Sequence, residues 1–356
     1  MPSTIIIGSG CYLPNRVIGR SHFMDTEFYT EDGEKIDKPN EEIIGKFVEI
    51  TEIENRRYVE DNINNSDIGT EAAKIAIKNA KIELEQIDYI LYATNFGEVN
   101  LSGHADFMPN IAARVKNKLG ITNRKCITYD MVFGCPGWVE AMILADTLIQ
   151  AGKANTILVI GGDTLSRVTD PFDRNKMIFS DGAGAVVVQK TEQKNVGIIA
   201  HNTICDNGPE LDYLTNSCSL NKNNTKDALF IRMQGRKIYE YALKNVPTAI
   251  KETIDMAGLS IQDINKVLIH QANAKMDYAM IDRLHRLYNI KDYDHSIAPM
   301  TIQEFGNSSV ATIPTMYHLI LNHQLGEHQF TKNGNIVMAS VGAGMNINCI
   351  IYKFPD

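Results

Sequence analysis

The chain has 356 residues, 44% of them hydrophobic and 22% charged, with a formal net charge of −8. That is an ordinary globular composition, long enough for one large domain or two of common size, with a core that needs neither disulfides nor metal. The acidic balance excludes a general nucleic-acid binder, and no stretch approaches the ~18 uninterrupted apolar residues of a membrane span.

The N-terminal MPSTIIIGSGCYLP carries no basic segment, and its apolar run suits a strand better than a signal peptide. The cysteines Cys11, Cys126, Cys135, Cys205, Cys218 and Cys349 form no C-x-x-C pair. Reduced thiols and a cytoplasmic location are expected. Residues 25–45, DTEFYTEDGEKIDKPNEEIIG, are polar and acidic and read as a surface excursion, either a solvated loop or a cover. A loop and short apolar strand follow at LEQIDYILYATN, then a helix at PNIAARVKNKLG and a strand at KCITYDMV. The helix CPGWVEAMILADTLIQAG and the strands NTILVIGGD and AGAVVVQK complete this half.

The second half repeats the plan. It opens on VGIIAHNTI, passes through an Asn-rich excursion at 206–229, and reaches the strand IQDINKVLIHQAN. The helix AKMDYAMIDRLHRLY, a weak strand at HSIAPM, the helix SSVATIPTMYHLILNHQ and the strands NIVMASV and MNINCIIYK follow. Ile87 and Ile264 occupy matching places 177 residues apart, and Gly-Ala-Gly introduces the closing strand of each half. Two pseudo-symmetric βαβαββ halves, about 1–190 and 191–356, are expected to pack as one α/β unit. Continuously apolar strands such as TILVIGG predict sheets buried on both faces.

Cys135 stands between Gly134 and Pro136, where strand gives way to helix. A buried cysteine is usually a small hydrophobe. Here the helix N-terminus points its free N–H groups at the sulfur, which predicts a lowered thiol pKa, so Cys135 is either such a packing residue or a nucleophile. His270 ends the strand KVLI, where α/β sheets collect their sites. Asn307 follows Gly306 and precedes a helix, as Cys135 follows Gly134, so the two occupy matching elbows. An N-cap role for Asn307 is the alternative, although Ser308 can serve as cap. There is no cysteine cluster and no His pair at helical spacing beside carboxylates, so no metal site is expected.

With GSGCYLP, RVTDPFDR followed by FSDGAGA, IHQAN at 269–273 and FGNSSVATIP at 305–314, nearly the whole chain resembles the β-ketoacyl-acyl-carrier-protein synthase III family. The resemblance implies a thiolase-like fold with a five-layered αβαβα core. It implies a Cys135–His270–Asn307 triad that takes an acyl group from a thioester and condenses it with a carrier-bound malonyl or β-keto thioester. The N–H groups of Cys135 and of the turn near Gly344 would form the oxyanion hole. The substrates would be acyl-CoA or acyl-carrier-protein thioesters, with no resident cofactor. The partners would be an acyl carrier protein and a second copy of the chain.

Within the same resemblance, Met108 falls where the partner subunit reaches into the acyl pocket, or else is a helix-preceding core residue. Lys275, Arg283 and Arg286 share a helix face that is either a carrier dock weakened by Asp282 or a solvated surface. Arg167 matches an arginine that clamps coenzyme A, but its tryptophan partner is missing near Lys46 or Phe47. The family's T-G-I reads Thr51-Glu52-Ile53. A carrier-bound or unusual acyl donor is therefore open. Glu140, five residues after Cys135, is either an additional base or a surface residue. As a base it resembles the branch that closes dialkylresorcinol or cyclohexanedione precursors. An acyltransferase without carbon–carbon bond formation, a non-catalytic carrier-binding subunit and a hydrolase are the competing classes. The intact Cys135, His270 and Asn307 weigh against the second, and the lack of a G-x-S-x-G elbow against the third.

Overall fold

A computed structural model describes residues 2–224 and 227–355. The first sheet holds β1 (Ser3–Tyr12), β2 (Tyr89–Ala93), β3 (Ile127–Met131), β4 (Thr156–Thr164) and β5 (Asp181–Thr191), in the order β1-β5-β4-β2-β3. Its β1-β5 and β5-β4 pairs are antiparallel, and β4-β2 and β2-β3 are parallel. The second half supplies β6 (Gly197–Cys205), a separate hairpin of β7 (Leu214–Ser217) and β8 (Phe230–Met233), then β9 (Ile264–Ile269), β10 (Asn335–Gly342) and β11 (Asn346–Lys353). Its sheet runs β6-β11-β10-β9, with two antiparallel pairs and then a parallel one. This is the order of the first sheet with the strand equivalent to β3 absent.

That absence corrects the expectation at HSIAPM. Asp294 accepts from the Ser296 N–H (2.9 Å) and hydroxyl (2.7 Å), which winds His295–Ile297 into a 3-10 turn instead of a strand.

The layers follow from which faces are apolar. The helices α1 (Asn40–Thr51), α2 (Asn65–Ala80), α3 (Ile111–Leu119), α4 (Gly137–Gln150), α5 (Gly235–Met256), α6 (Ala274–Leu287) and α7 (Thr312–Leu321) are the longer ones. α4 and α7 are apolar almost all round, so both must be buried. Trp138, Met142 and Ile149 of α4, with Ile313, Met316 and Tyr317 of α7, form one core with strand residues of both sheets. The amphipathic α2 and α3 cover the outer face of the first sheet, and α5 and α6 that of the second. Every residue of β4 is buried, as a strand sandwiched between two helical layers requires. Among the described residues, no helix is long and apolar enough to cross a membrane.

The two excursions are anchored. Phe23 and Phe28 are buried with Ile44 of α1, Tyr58 and Met177, so the segment 25–45 carries a small core of its own. It is not the fully solvated loop its polarity suggests. Just after the second excursion, Arg232 of β8 pairs with the buried Asp170 (3.3 Å) and Asp173 (3.0 Å). Asp170 also accepts from Leu220 N–H (2.6 Å). These bonds fix the β7–β8 hairpin against the rest of the chain; residues 225 and 226 lie outside the described ones.

Candidate active site

The elbow after β3 is built by close backbone approach. Gly134 adopts φ +74°, a left-handed conformation that glycine enters without steric cost. Pro136 then starts α4, with its ring in a helical conformation. The turn between β10 and β11 presses against this elbow. A Cβ on Gly342 would lie 2.7 Å from the Cys135 nitrogen, and one on Gly134 would lie 3.0 Å from the Ala343 nitrogen.

Cys135 is half-buried at a cavity of ≈180 Å³. Its apolar lining includes Phe96, Val132, Leu165, Phe179, Leu214 and Ile231. Leu214, Thr215 and Asn216 of β7 and Ile231 of β8 form part of the wall. Part of the Asn-rich excursion region is therefore a cover over the site. A larger cavity of ≈420 Å³, lined in part by Lys266, His285 and Tyr293, is lined by no cysteine, His270 or Asn307.

His270 continues the β9 ladder, its N–H donating to the Ala339 carbonyl (2.9 Å). Gln271 then locks the 299–302 segment: its Oε1 accepts from Thr301 and Ile302 N–H (2.9 and 3.1 Å), and its Nε2 donates to the Pro299 carbonyl (2.8 Å). Asn307 is pinned through its backbone, with N–H donating to Ile178 and carbonyl accepting from Ser180 (both 2.9 Å). Its Oδ1 accepts from the Ser309 N–H (2.8 Å). This fixes the amide so that Nδ2 is the free donor. Asn307 is thus not the cap of α7, which starts at Thr312.

Ser309 touches all three members of the triad. Its N–H bonds Asn307 Oδ1 (2.8 Å), it lines the same cavity as Cys135, and its hydroxyl and its backbone act on the Cys135 thiol and the His270 ring respectively. The expected triad therefore converges on one residue.

Burial pushes the Cys135 thiol up to about 11, opposed by the Ser309 hydrogen bond. This reverses the lowering expected from the helix N-terminus: desolvation of the thiolate outweighs the dipole. Burial likewise pushes His270 down to about 4. The resting site is a neutral thiol with a neutral imidazole whose Nδ1 has no partner among the described residues.

The remaining predicted residues separate. Arg167 donates to the carbonyls of Val99 (2.7 Å) and Ile63 (2.6 Å), with longer bonds to Asp61, Glu60 and Asn64. Both terminal nitrogens of its guanidinium are thus engaged by the chain itself. Glu140 Oε2 accepts from Thr203 Oγ1 (2.8 Å) and Asn348 Nδ2 (2.6 Å). It ties α4 to β6 and β11 and does not line the Cys135 cavity. Ala343, not Gly344, faces the cavity; the Gly344 carbonyl accepts from Asn207 Nδ2 (2.9 Å).

Met108 is 83% exposed, which rules out a core role within one chain. Lys275, Arg283 and Arg286 are exposed on α6, while Asp282 is turned to the Tyr293 hydroxyl (2.6 Å). Sequence reasoning missed Ser309, Asn95 and Asp163. The last two lie at or just beyond the ends of β2 and β4, a position that could have flagged them. Among the described residues, no group of His, Cys, Asp and Glu could hold a metal ion.

Comparison with known proteins agrees with this geometry. Residues 129–207 match the family model 3-Oxoacyl-[acyl-carrier-protein (ACP)] synthase III, and residues 254–354 match its C-terminal counterpart. The chain is 32% identical to the beta-ketoacyl-[acyl-carrier-protein] synthase III of Ehrlichia canis, with 97% of each chain covered. It is 30% identical to the protein of that name from Staphylococcus haemolyticus, with 98% of each covered. The crystal structure of the 3-oxoacyl-[acyl-carrier-protein] synthase III from Aquifex aeolicus superposes with a TM-score of 0.80 at 27% identity. That match covers 99% of this chain and 100% of the other.

Proposed function

Since the chain belongs to the 3-oxoacyl-[acyl-carrier-protein] synthase III family, a family of acyl-transferring condensing enzymes of thiolase-like fold, we propose that Cys135 is the acyl-carrying nucleophile and His270 and Asn307 the condensing pair. The observation that carries this reading is the meeting of all three side chains at Ser309, beside a cavity of ≈180 Å³ with a largely apolar wall.

In the first half-reaction the Cys135 sulfur attacks the carbonyl of an acyl thioester. The Cys135 proton ends on the departing thiol and the acyl group on Cys135, so nothing else is consumed. The N–H groups of Cys135 and Ala343, whose backbones meet at this elbow, are assigned as donors to the developing oxyanion. In the second, a carrier-bound malonyl thioester loses CO2, and its enolate carbon attacks the acyl-enzyme. The product is a β-keto thioester, and the expelled Cys135 thiolate takes one proton from water to regenerate the thiol. His270 and Asn307 Nδ2 donate to the enolate oxygen; an amide cannot serve as base, so the role of Asn307 is electrostatic. A neutral His270 carries one ring N–H, so donating it to the enolate oxygen means releasing the Ser309 carbonyl. Two half-reactions through one cysteine give ping-pong kinetics. The two thioesters supply every reacting group, so no resident cofactor enters. The occupied Glu140 gives no support to the cyclohexanedione branch.

The division at about 190 into a half carrying Cys135 and a half carrying His270 and Asn307 belongs to the same reading, as does a cytoplasmic location for a chain with six free cysteines. The acyl carrier docks through Lys275, Arg283 and Arg286. A homodimer forms across β3, an open sheet edge with exposed Ile127 and Tyr129, flanked by exposed Val132, Phe107 and Met108. Native mass spectrometry after incubation with acyl-CoA and acyl-carrier thioesters tests both parts. The expected species is a pair of 39.7 kDa chains, each gaining one acyl group that is lost in Cys135→Ala. A monomer contradicts the dimer, and folded protein with no adduct contradicts the nucleophile.

A further inference from the structure

Ser309 is buried and holds φ +53°, a left-handed conformation rare for a residue with a side chain. That backbone turn directs its N–H at Asn307 Oδ1 (2.8 Å) and its carbonyl at the His270 ring. The hydroxyl accepts from Asn95 Nδ2 (2.7 Å), and Ser309 lines the same cavity as the Cys135 sulfur. Asn95 Nδ2 also donates to Asp163 Oδ2 (2.6 Å).

The direction of each bond in this chain is forced. An ionised carboxylate only accepts, so the Asn95 side chain must present its NH2 to Asp163. The flipped amide would set oxygen against oxygen. Asp163 is itself fixed by donors from Thr94 Oγ1 (2.7 Å) and the Asn95 N–H (2.9 Å). Each hydrogen of the Asn95 NH2 then has one acceptor, Asp163 or Ser309. The Ser309 oxygen is therefore an acceptor toward Asn95, and its single O–H is left to donate elsewhere. The one group remaining is the Cys135 sulfur.

We propose that Asp163, Asn95 and Ser309 form a directional relay that aims the Ser309 O–H at Cys135 and so stabilises its thiolate. Resting on the reading of Cys135 as nucleophile, the relay makes Ser309, Asn95 and Asp163 positioning residues. The relay answers a difficulty of the site. Burial opposes the thiolate, and the negative Asp163 opposes it further. Inserting a neutral amide and a hydroxyl turns a repelling carboxylate into the anchor of a donor. The titratable groups facing Cys135 are Asp163 and, across the Ser309 carbonyl, His270. The cavity walls from β7, β8, Phe179, Val132 and Ala343 carry none.

The test is the pH dependence of Cys135 alkylation by iodoacetamide, mapped by peptide mass so that the exposed Cys205 and Cys218 serve as internal references. Ser309→Ala removes the hydroxyl, and Ser309→Gly removes it while accepting the left-handed backbone more easily. A fold that rejects alanine thus still leaves a readable variant. Both are expected to raise the Cys135 midpoint by about one pH unit, with Cys205 unmoved. Asn95→Ala, which frees the hydroxyl to rotate, is expected to raise it by less. An unchanged midpoint in both Ser309 variants overturns the relay. The midpoint is a property of the thiol whether or not it carries acyl groups. A failure of acylation by thioesters would therefore sink the nucleophile reading separately.

Discussion

Asn307→Ala is expected to separate the two half-reactions. Cys135 should still be acylated at close to the wild-type rate, while condensation falls by about 10²–10³-fold, the usual loss for one oxyanion donor. The reason lies in how the amide is held. Its Oδ1 is tied to the Ser309 N–H (2.8 Å), and its backbone is bonded on both sides to the 178–180 segment. Gly306, at φ +62°, permits that approach, since a Cβ there would meet Arg56 Cβ at 2.9 Å. Nδ2 is thus preorganised as a donor with no other task. Asn307→Asp is expected to be no better, because a carboxylate would meet the enolate with like charge. Rapid-quench measurement of acyl-enzyme and of product separates the steps. Equal loss of both would place Asn307 in acylation or in folding instead.

Gly342→Ala should be nearly as damaging from outside the triad. The added methyl would lie 2.6 Å from Pro136 Cδ, 2.7 Å from the Cys135 nitrogen and 3.0 Å from Cys135 Cβ. Those neighbours are backbone and a proline ring, which cannot swing aside. The hairpin end must therefore move, carrying the Ala343 N–H with it. A shift of ~1 Å in a positioned group costs on the order of 10²-fold in rate, and overpacking of this kind costs ~1–3 kcal/mol of stability. Gly45→Ala is the control: it lies inside α1 with nothing within 4 Å of its Cβ. It should leave activity unchanged and stability equal or higher by roughly 0.5–1 kcal/mol. Thermal melts and turnover of the two variants make the comparison. Unimpaired Gly342→Ala would mean that the two backbones do not meet as described.

The layers, and the elbows that carry Cys135 and Asn307, are legible in the sequence because each rests on a local signal. Apolar runs with intervening helices give the doubled sheet order, and glycine before Cys135 and Asn307 marks the elbows. What the sequence conceals is tertiary. Arg167 sits in a motif segment, yet its donors are taken by the carbonyls of Val99 and Ile63, distant in the chain. Glu140 has the right spacing for a base but its carboxylate turns to Thr203 and Asn348. Phe23 and Phe28 anchor a segment whose average polarity suggests open solvent. Ser309 looks like one more small residue after Asn307. Its importance lies in a positive φ and in its place against Asn95, Cys135 and His270 from three distant segments, which no local pattern encodes. The Cys135 thiol shift has the wrong sign from sequence because burial is a property of the whole fold.

The most direct test of the central claim is a single turnover. Protein acylated on Cys135 and freed of excess donor is mixed with malonyl-acyl-carrier protein, and the carrier is weighed by mass spectrometry. The account predicts a carrier bearing a β-keto acyl group two carbons longer than the one loaded, one CO2 released per product, and unmodified Cys135. Carrier carrying the unextended acyl group, or free carboxylic acid with the carrier unchanged, would contradict it and leave transfer or hydrolysis as the chemistry of the site.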